Sequence, residues 1–200
     1  KGDGVKELKG TGKTLVKSGE TLEDGDFPQA VVDTAKGYKE PAAWTPEDKV
    51  VTEQNKTFTA TATKKTSAET ITEAGGLKGV DLAAWVGDTL DANFWKKGAA
   101  LADTVQDADG KLAALLAGAT VTDKSNRTAD AKGTFPGTLT VTFADGSSLE
   151  VDQKLFVYNK KDEVPTDPTQ PTPADAVVVT YEKGDGVKEL KGTGKTLVKS

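Results

Sequence analysis

The eighteen residues from Lys1 to Ser18, KGDGVKELKGTGKTLVKS, recur without one change from Lys183 to Ser200. Chance does not produce such an identity, and two copies drifting apart would not keep it. The identity points to a window on a near-identical tandem array whose unit is 182 residues, the difference between positions 1 and 183. On that reading the sequence holds one full period and the opening of the next. It begins Lys1-Gly2-Asp3 and contains no Met, as expected of an internal slice of a longer chain.

The two copies have different surroundings. The second follows Ala176-Val177-Val178-Val179-Thr180-Tyr181, a β-rich run, whereas nothing precedes the first. The opening module is therefore expected to lack a strand that its successor still carries. Residues 176–200 are read as the first strands of the next copy of that module.

Within the period, a first module A spans residues 1–65. In it Thr57, Thr59, Thr61 and Thr63 alternate with Phe58, Ala60 and Ala62, the mark of a strand with one buried face. Leu15-Val16 before Ser18-Gly19-Glu20 predicts a strand ending in a turn. Phe27-Pro28, Gly37-Tyr38, Pro41 and Trp44 break the region between too often for a long helix. Residues 66–76, polar and rich in Thr and Glu, are predicted to be a linker.

Module B spans residues 77–158. Leu139, Val141 and Phe143 face one way and Thr138, Thr140 and Thr142 the other, ahead of Asp145-Gly146 and a second alternating run through Leu149, Val151, Leu155 and Val157. Asp-Gly between two such runs predicts a hairpin, because Gly accepts the positive φ of a tight turn. Leu112, Leu115 and Leu116 share a helical face that Gly118 closes, and Asp88 is expected to cap a turn holding Leu90 and Phe94. Beyond lies a connector, residues 159–175, with Pro165, Pro168, Pro171 and Pro173. In polyproline II form it would extend roughly 3.1 Å per residue, about 50 Å in all.

Composition narrows the chemistry. The chain has no Cys and no His, which removes thiol nucleophiles, imidazole acid–base catalysis, zinc-type sites and disulfides. Its net charge is −5 with both signs interspersed, so neither nucleic acid nor an anionic membrane surface is an expected partner. The strongly apolar run Ala176 to Val179 falls far short of the ~20 residues of a membrane span. No convergent catalytic set is visible, and the chain is not expected to be an enzyme.

Four segments of module B, Val86-Gly87-Asp88-Thr89-Leu90, Phe94-Trp95-Lys96-Lys97-Gly98, Ala119-Thr120-Val121-Thr122-Asp123 and Leu139 to Ser147, resemble the long Rib-type repeats of Gram-positive surface proteins. Such repeats are Ig-like β domains. Module A, with Gly19-Glu20-Thr21-Leu22, Gly37-Tyr38, Trp44 and Thr57-Phe58-Thr59-Ala60, is similar, on shorter motifs, to the β-grasp-like internalin B-repeat family. The resemblance implies a mainly β fold: a β-grasp-like module and an Ig-like, Rib-like sandwich with short helices, in an elongated tandem array. It also implies an extracellular, wall-anchored setting; the LPXTG sorting motif is absent, as expected of an internal fragment.

Several motifs invite sharper readings. Gly10-Thr11-Gly12-Lys13-Thr14 suggests a P-loop, but Glu7 stands where the first glycine of that motif belongs and would repel phosphate. Asp107-Ala108-Asp109-Gly110 looks like part of a calcium loop, yet in EF-hand register the first and twelfth ligands would be Val105 and Leu116. An acidic turn capping the Leu112 helix is the simpler reading. Asn55-Lys56-Thr57 and Asn126-Arg127-Thr128 fit the glycosylation pattern, which would be accidental in the bacterial source that the resemblance implies. Trp44, Trp85 and Trp95 are read as packing residues before sugar platforms. A Lys–Asn or Lys–Asp isopeptide cross-link is compatible with the composition, but no spacing singles out its residues.

No residue is therefore assigned a catalytic, cofactor-binding or metal-binding role, and no cofactor is expected. The reading that results is a structural stalk repeat that projects a distal adhesive domain from a cell wall. The alternative is an adhesin module that itself binds a host protein or glycan. Its expected partners are neighbouring repeats, and the tail, residues 176–200, is expected to complement module A of a neighbouring molecule head to tail.

Overall fold

The computed structural model describes residues 1–10, 14–189, 191 and 194–200. Strand outweighs helix by 38% to 13%, so the chain is mainly β. It divides into two units, Lys1–Thr66 and Ser67–Ser200.

In the first unit β1 (Val5–Lys9) pairs antiparallel with β2 (Gln29–Val32), and β3 (Tyr38–Thr45) with β4 (Thr59–Lys64). The alternation read from Thr57 to Thr63 becomes β4, which buries Ala60 completely. The punctuated region upstream forms two short 3-10 turns, Asp24–Asp26 and Thr34–Lys36, and also yields β2 and β3. Val5, Leu22 and Val32 join Ala60 in a thin core, and Phe27 packs on Trp44 and Phe58 at 5.0 and 5.2 Å. The strand predicted at Leu15-Val16 is absent: Thr14 to Lys17 belong to no strand, and Leu15 is fully exposed. The Gly10 to Thr14 motif lies largely outside the described residues.

The second unit opens with α1 (Ser67–Glu73), then β5 (Leu77–Gly79), β6 (Leu82–Trp85), α2 (Ala92–Lys96), β7 (Ala99–Leu101), α3 (Lys111–Ala117) and β8 (Thr120–Asp123). The hairpin strands β9 (Gly133–Thr142) and β10 (Ser148–Tyr158) follow, and then β11 (Lys161–Glu163), β12 (Ala176–Thr180) and β13 (Lys195–Lys199). The main sheet runs β6-β10-β9-β8, with β6 parallel to β10 and the other pairs antiparallel. One face carries Leu139, Val141, Val151, Leu155 and Val157 into the core, beneath the helices and the β5–β7 ribbon. Gly146 has φ +80° in the β9–β10 turn, as its Asp-Gly sequence anticipates.

Two connectors fold where the sequence suggested spacers. Residues 66–76 hold α1 instead of a linker, and Ala68 and Ile71 enter the module's core. The helix forms because the β9–β10 turn supplies its missing hydrogen-bond acceptors. Asp145 Oδ2 accepts from the Ser67 N–H at 2.6 Å, and Ser147 Oγ from the Ala68 N–H at 3.1 Å. The Ser147 hydroxyl and the Ser67 N–H hold the Asp145 carboxyl well below the usual carboxylate range. Residues 159–175 are likewise no extended rod, since β11 lies inside them and the rest turns back on the sheet.

Among the helix caps, Asp107 accepts from the Leu112 and Ala113 N–H groups, and Gly118 closes α3 as read from the sequence. The cap of α2 is Asp91 instead of Asp88: its Oδ1 accepts from the Phe94 N–H at 2.8 Å. Asp88 lies too far before the first helical turn and bonds elsewhere.

Ile71 is wholly buried, so Ile71→Ala is expected to destabilise the second unit by about 2–5 kcal/mol in urea unfolding. A true linker at this position would tolerate the change within about 0.5 kcal/mol.

Candidate functional site

The parallel pair β6–β10 sets Tyr158 opposite Trp85, so both rings leave the same end of the sheet. Period-two alternation sends Ala83, Trp85, Phe156 and Tyr158 to the face away from the main core, where they form a second apolar cluster. Trp85 is fully buried and lies 6.4 Å from the Tyr158 ring at 68°. Val164, Ala176 and Leu197 complete the cluster, with Leu197 only 1% exposed.

Polar contacts fix the chain that covers these rings. The Trp85 Nε1–H donates to Asp175 Oδ1 at 2.6 Å, and the Tyr158 hydroxyl donates to the Pro171 carbonyl at 2.9 Å while accepting from Gln170 Nε2 at 2.6 Å. Each ring's polar atom thus gains a partner in place of water. Burial pushes the Tyr158 hydroxyl pKa up. Strand β13 lies between β11 and β12, and Lys199 Nζ reaches Asp88 Oδ1 at 2.7 Å. Burial opposes charge on Asp88, but Lys199 and the Trp85 N–H outweigh it and hold the carboxyl below its ordinary value.

A second cluster surrounds Arg127. Its Nη2 meets Asp123 at 2.8 Å, its Nη1 donates to the Phe135 and Gln153 carbonyls, and its guanidinium lies 5.0 Å over the Trp95 ring. Both charged side chains are 5% exposed. Burial works against the Asp123 charge, yet the Arg127 guanidinium and N–H keep its carboxyl below the ordinary value. A shallow hollow of about 370 Å³ opens beside this pair, lined in part by Trp95, Val121 and Asn126. Arg127 is committed to protein partners, so the hollow is walled by a structural clamp.

The motifs weighed in the sequence fall in separate places. Trp85 is wholly buried and Trp95, 6% exposed, lies under the Arg127 guanidinium at the wall of that hollow, while Trp44 is half-buried against Phe27. Asn55 and Asn126 have φ +60° and +51°, left-handed turn positions that Asn accepts readily. Both Asp107 oxygens are taken by the α3 cap, and among the described residues no group of three acidic side chains could hold a metal ion. No helix among them is long and apolar enough to cross a membrane. The Trp85–Tyr158–Leu197 cluster was missed, although Leu155-Phe156-Val157-Tyr158 signals it: an unbroken apolar run marks a strand covered on both faces.

No family model matches the chain, and no curated protein matches it. Among solved structures it is similar to a Rib structure from Streptococcus pyogenes, at 19% identity over 42% of this chain and 91% of that one, with a TM-score of 0.30. It is also similar to a chain of Clostridium perfringens ZmpB comprising CBM51-2, in complex with GlcNAc, and INT domains. That match has 23% identity and a TM-score of 0.28, over 44% of this chain and 17% of the other.

Asp88 and Asp123 both have depressed folded pKa values, so the stability they contribute is present above 3.8, the unshifted value, and is lost as pH falls through the folded values. The melting temperature is expected to stay level from about pH 7 to 5 and to fall below about pH 4. Asp123→Asn, which strands the buried Arg127 charge, is expected to cost about 3 kcal/mol at pH 7 in denaturant unfolding and to weaken the acid dependence.

Proposed function

We propose that this chain is a structural spacer repeat of a bacterial surface protein, one of a series that holds a distal adhesive domain away from the cell wall. The observation that carries the reading is at the end of the second unit. Leu197, from the second copy of the repeated eighteen residues, closes the cluster over Trp85 and Tyr158. The opening of one period thereby completes the module of the period before it, which is what a chain built for continuous repetition requires.

Other features support the same reading. Trp85, Trp95 and Arg127, side chains that binding surfaces favour, are spent on internal contacts. The resemblance of module B to Rib-type repeats supports an extracellular setting. Identical periods let recombination alter the number of units, and a chain without Cys or Met presents no sulfur to oxidants at an exposed surface.

The test is a pair of measurements on proteins of one, two and three periods. End-to-end distance from fluorescent end labels is expected to rise by a constant increment per period. The single period is expected to show no saturable binding to arrays of host matrix proteins and glycans. Saturable binding that is lost on Trp44→Ala would instead establish an adhesive module.

A further inference from the structure

The repeated eighteen residues make two sets of contacts, one in each copy. In the first copy the leading half is engaged in module A. Gly2 N–H donates to the Ala60 carbonyl at 2.8 Å, the Asp3 carbonyl accepts from Ala62 N–H at 2.9 Å, and the Gly4 carbonyl accepts from Asp33 N–H at 2.8 Å. Strand β1 then pairs with β2 as far as Lys9. In the second copy the trailing half is engaged in module B. The Gly194 carbonyl accepts from Tyr181 N–H at 2.8 Å, β13 fills the place between β11 and β12, and Lys199 pairs with Asp88.

The two sets do not overlap. With the offset of 182 removed, Gly194 to Lys199 correspond to positions 12–17, whereas module A uses positions 2–9. One segment can therefore satisfy the backbone groups of both modules at once. The order along the chain is informative. Strand β12 ends at Thr180, the counterparts of the module A positions follow at 184–191, and β13 begins at Lys195. The counterpart of β1 thus lies inside the connection between two neighbouring strands of module B. Beyond position 17 the chain is again in module A, where Gly19 N–H donates to the Val51 carbonyl at 2.9 Å and Leu22 is buried. The turn that opens β1 is already made in the second copy. Val187 N–H donates to the Gly184 carbonyl at 3.3 Å with Gly186 at φ +80°, matching Val5 to Gly2 at 3.4 Å with Gly4 at φ +73°.

We infer that the joint between periods is interlocked: residues 183–200 serve at the same time as β1 of the module A that follows and as β13 of the module B that precedes. At each joint the chain passes from B to A, back to B, and on into A. Parting the modules then requires stripping a strand from its ladder, which a simple linker between folded domains does not. This joint presupposes the repeat reading, in which residues like 19–66 follow Ser200.

The test is hydrogen exchange, read by mass spectrometry, on the 200-residue chain and on the same chain continued after Ser200 by a second set of residues 19–66. In the first, Val187, Lys188 and Glu189 belong to no strand, and their amides are expected to exchange rapidly. In the second, exchange at 187–189 is expected to slow about a hundredfold or more while Thr196 to Val198 keep their protection. Val187 is 42% exposed and its counterpart Val5 is 5% exposed. Val187→Asp is therefore expected to be silent in the shorter chain and to remove the new protection in the longer one, leaving that of β13 intact. An interlocked joint is refuted if 187–189 exchange equally fast in both chains, if the added residues gain no protection, or if Val187→Asp leaves the new protection unchanged. Loss of protection in β13 of the longer chain also refutes it, because the modules then compete for the segment. The length increment and the absence of binding that test the spacer reading are separate readouts, so either result can fail alone.

Discussion

A β-strand persists only where a neighbour takes up its backbone hydrogen bonds, and this chain displays that constraint with its own control. Leu15 and Leu197 occupy the same place in identical eighteen-residue sequences. Where β12 and β11 flank the segment it forms β13 and Leu197 is buried; where no described strand flanks it, Leu15 is exposed to solvent. The opposite half behaves in mirror fashion. Val5 starts β1 against β2 and is 5% exposed, whereas Val187, its counterpart, is 42% exposed. Gly4 lies under the Tyr38 ring, where a Cβ would come within 2.2 Å, while Gly186 has open space around it. Local propensity is equal in the two copies, so tertiary partners alone decide between them.

The same dependence accounts for the second unit. Its main sheet is covered on one face by helices and on the other, at one end, by the chain returning from β10. Three side-chain hydrogen bonds, from Trp85 to Asp175, from Tyr158 to Pro171 and from Gln170 to Tyr158, hold the proline-containing segment against the rings. Proline fixes φ and removes donors, but it does not prevent a segment from docking when its carbonyls and flanking side chains find buried partners. Its prolines therefore suit a strap as well as a rod.

Much of the fold was legible because period-two alternation reports directly on burial. The β9–β10 hairpin, its Asp-Gly turn, the buried Leu139 and Val141, and the Leu112 helix with its Gly118 end follow from residue spacing alone. The failures share a cause. Residues 66–76 look like a linker because their helix has few apolar residues, and its acceptors, Asp145 and Ser147, lie far along the chain. Asp88 looks like a helix cap, but its partners are the Trp85 N–H and Lys199, the latter 111 residues away. The Arg127–Asp123–Trp95 clamp was also invisible, since i,i+4 spacing between opposite charges ordinarily marks an exposed helix pair and here joins a strand end to a turn.

By itself the sequence determined the mainly β character, through its alternating runs, the absence of thiol and imidazole chemistry, and the exact recurrence of eighteen residues at an offset of 182, because spacing, composition and identity need no coordinates. Tertiary structure decided which connectors are modules' own parts and which side chains cover Trp85 and Tyr158. Those outcomes depend on hydrogen-bond and packing partners distant in sequence, and no local pattern encodes a partner.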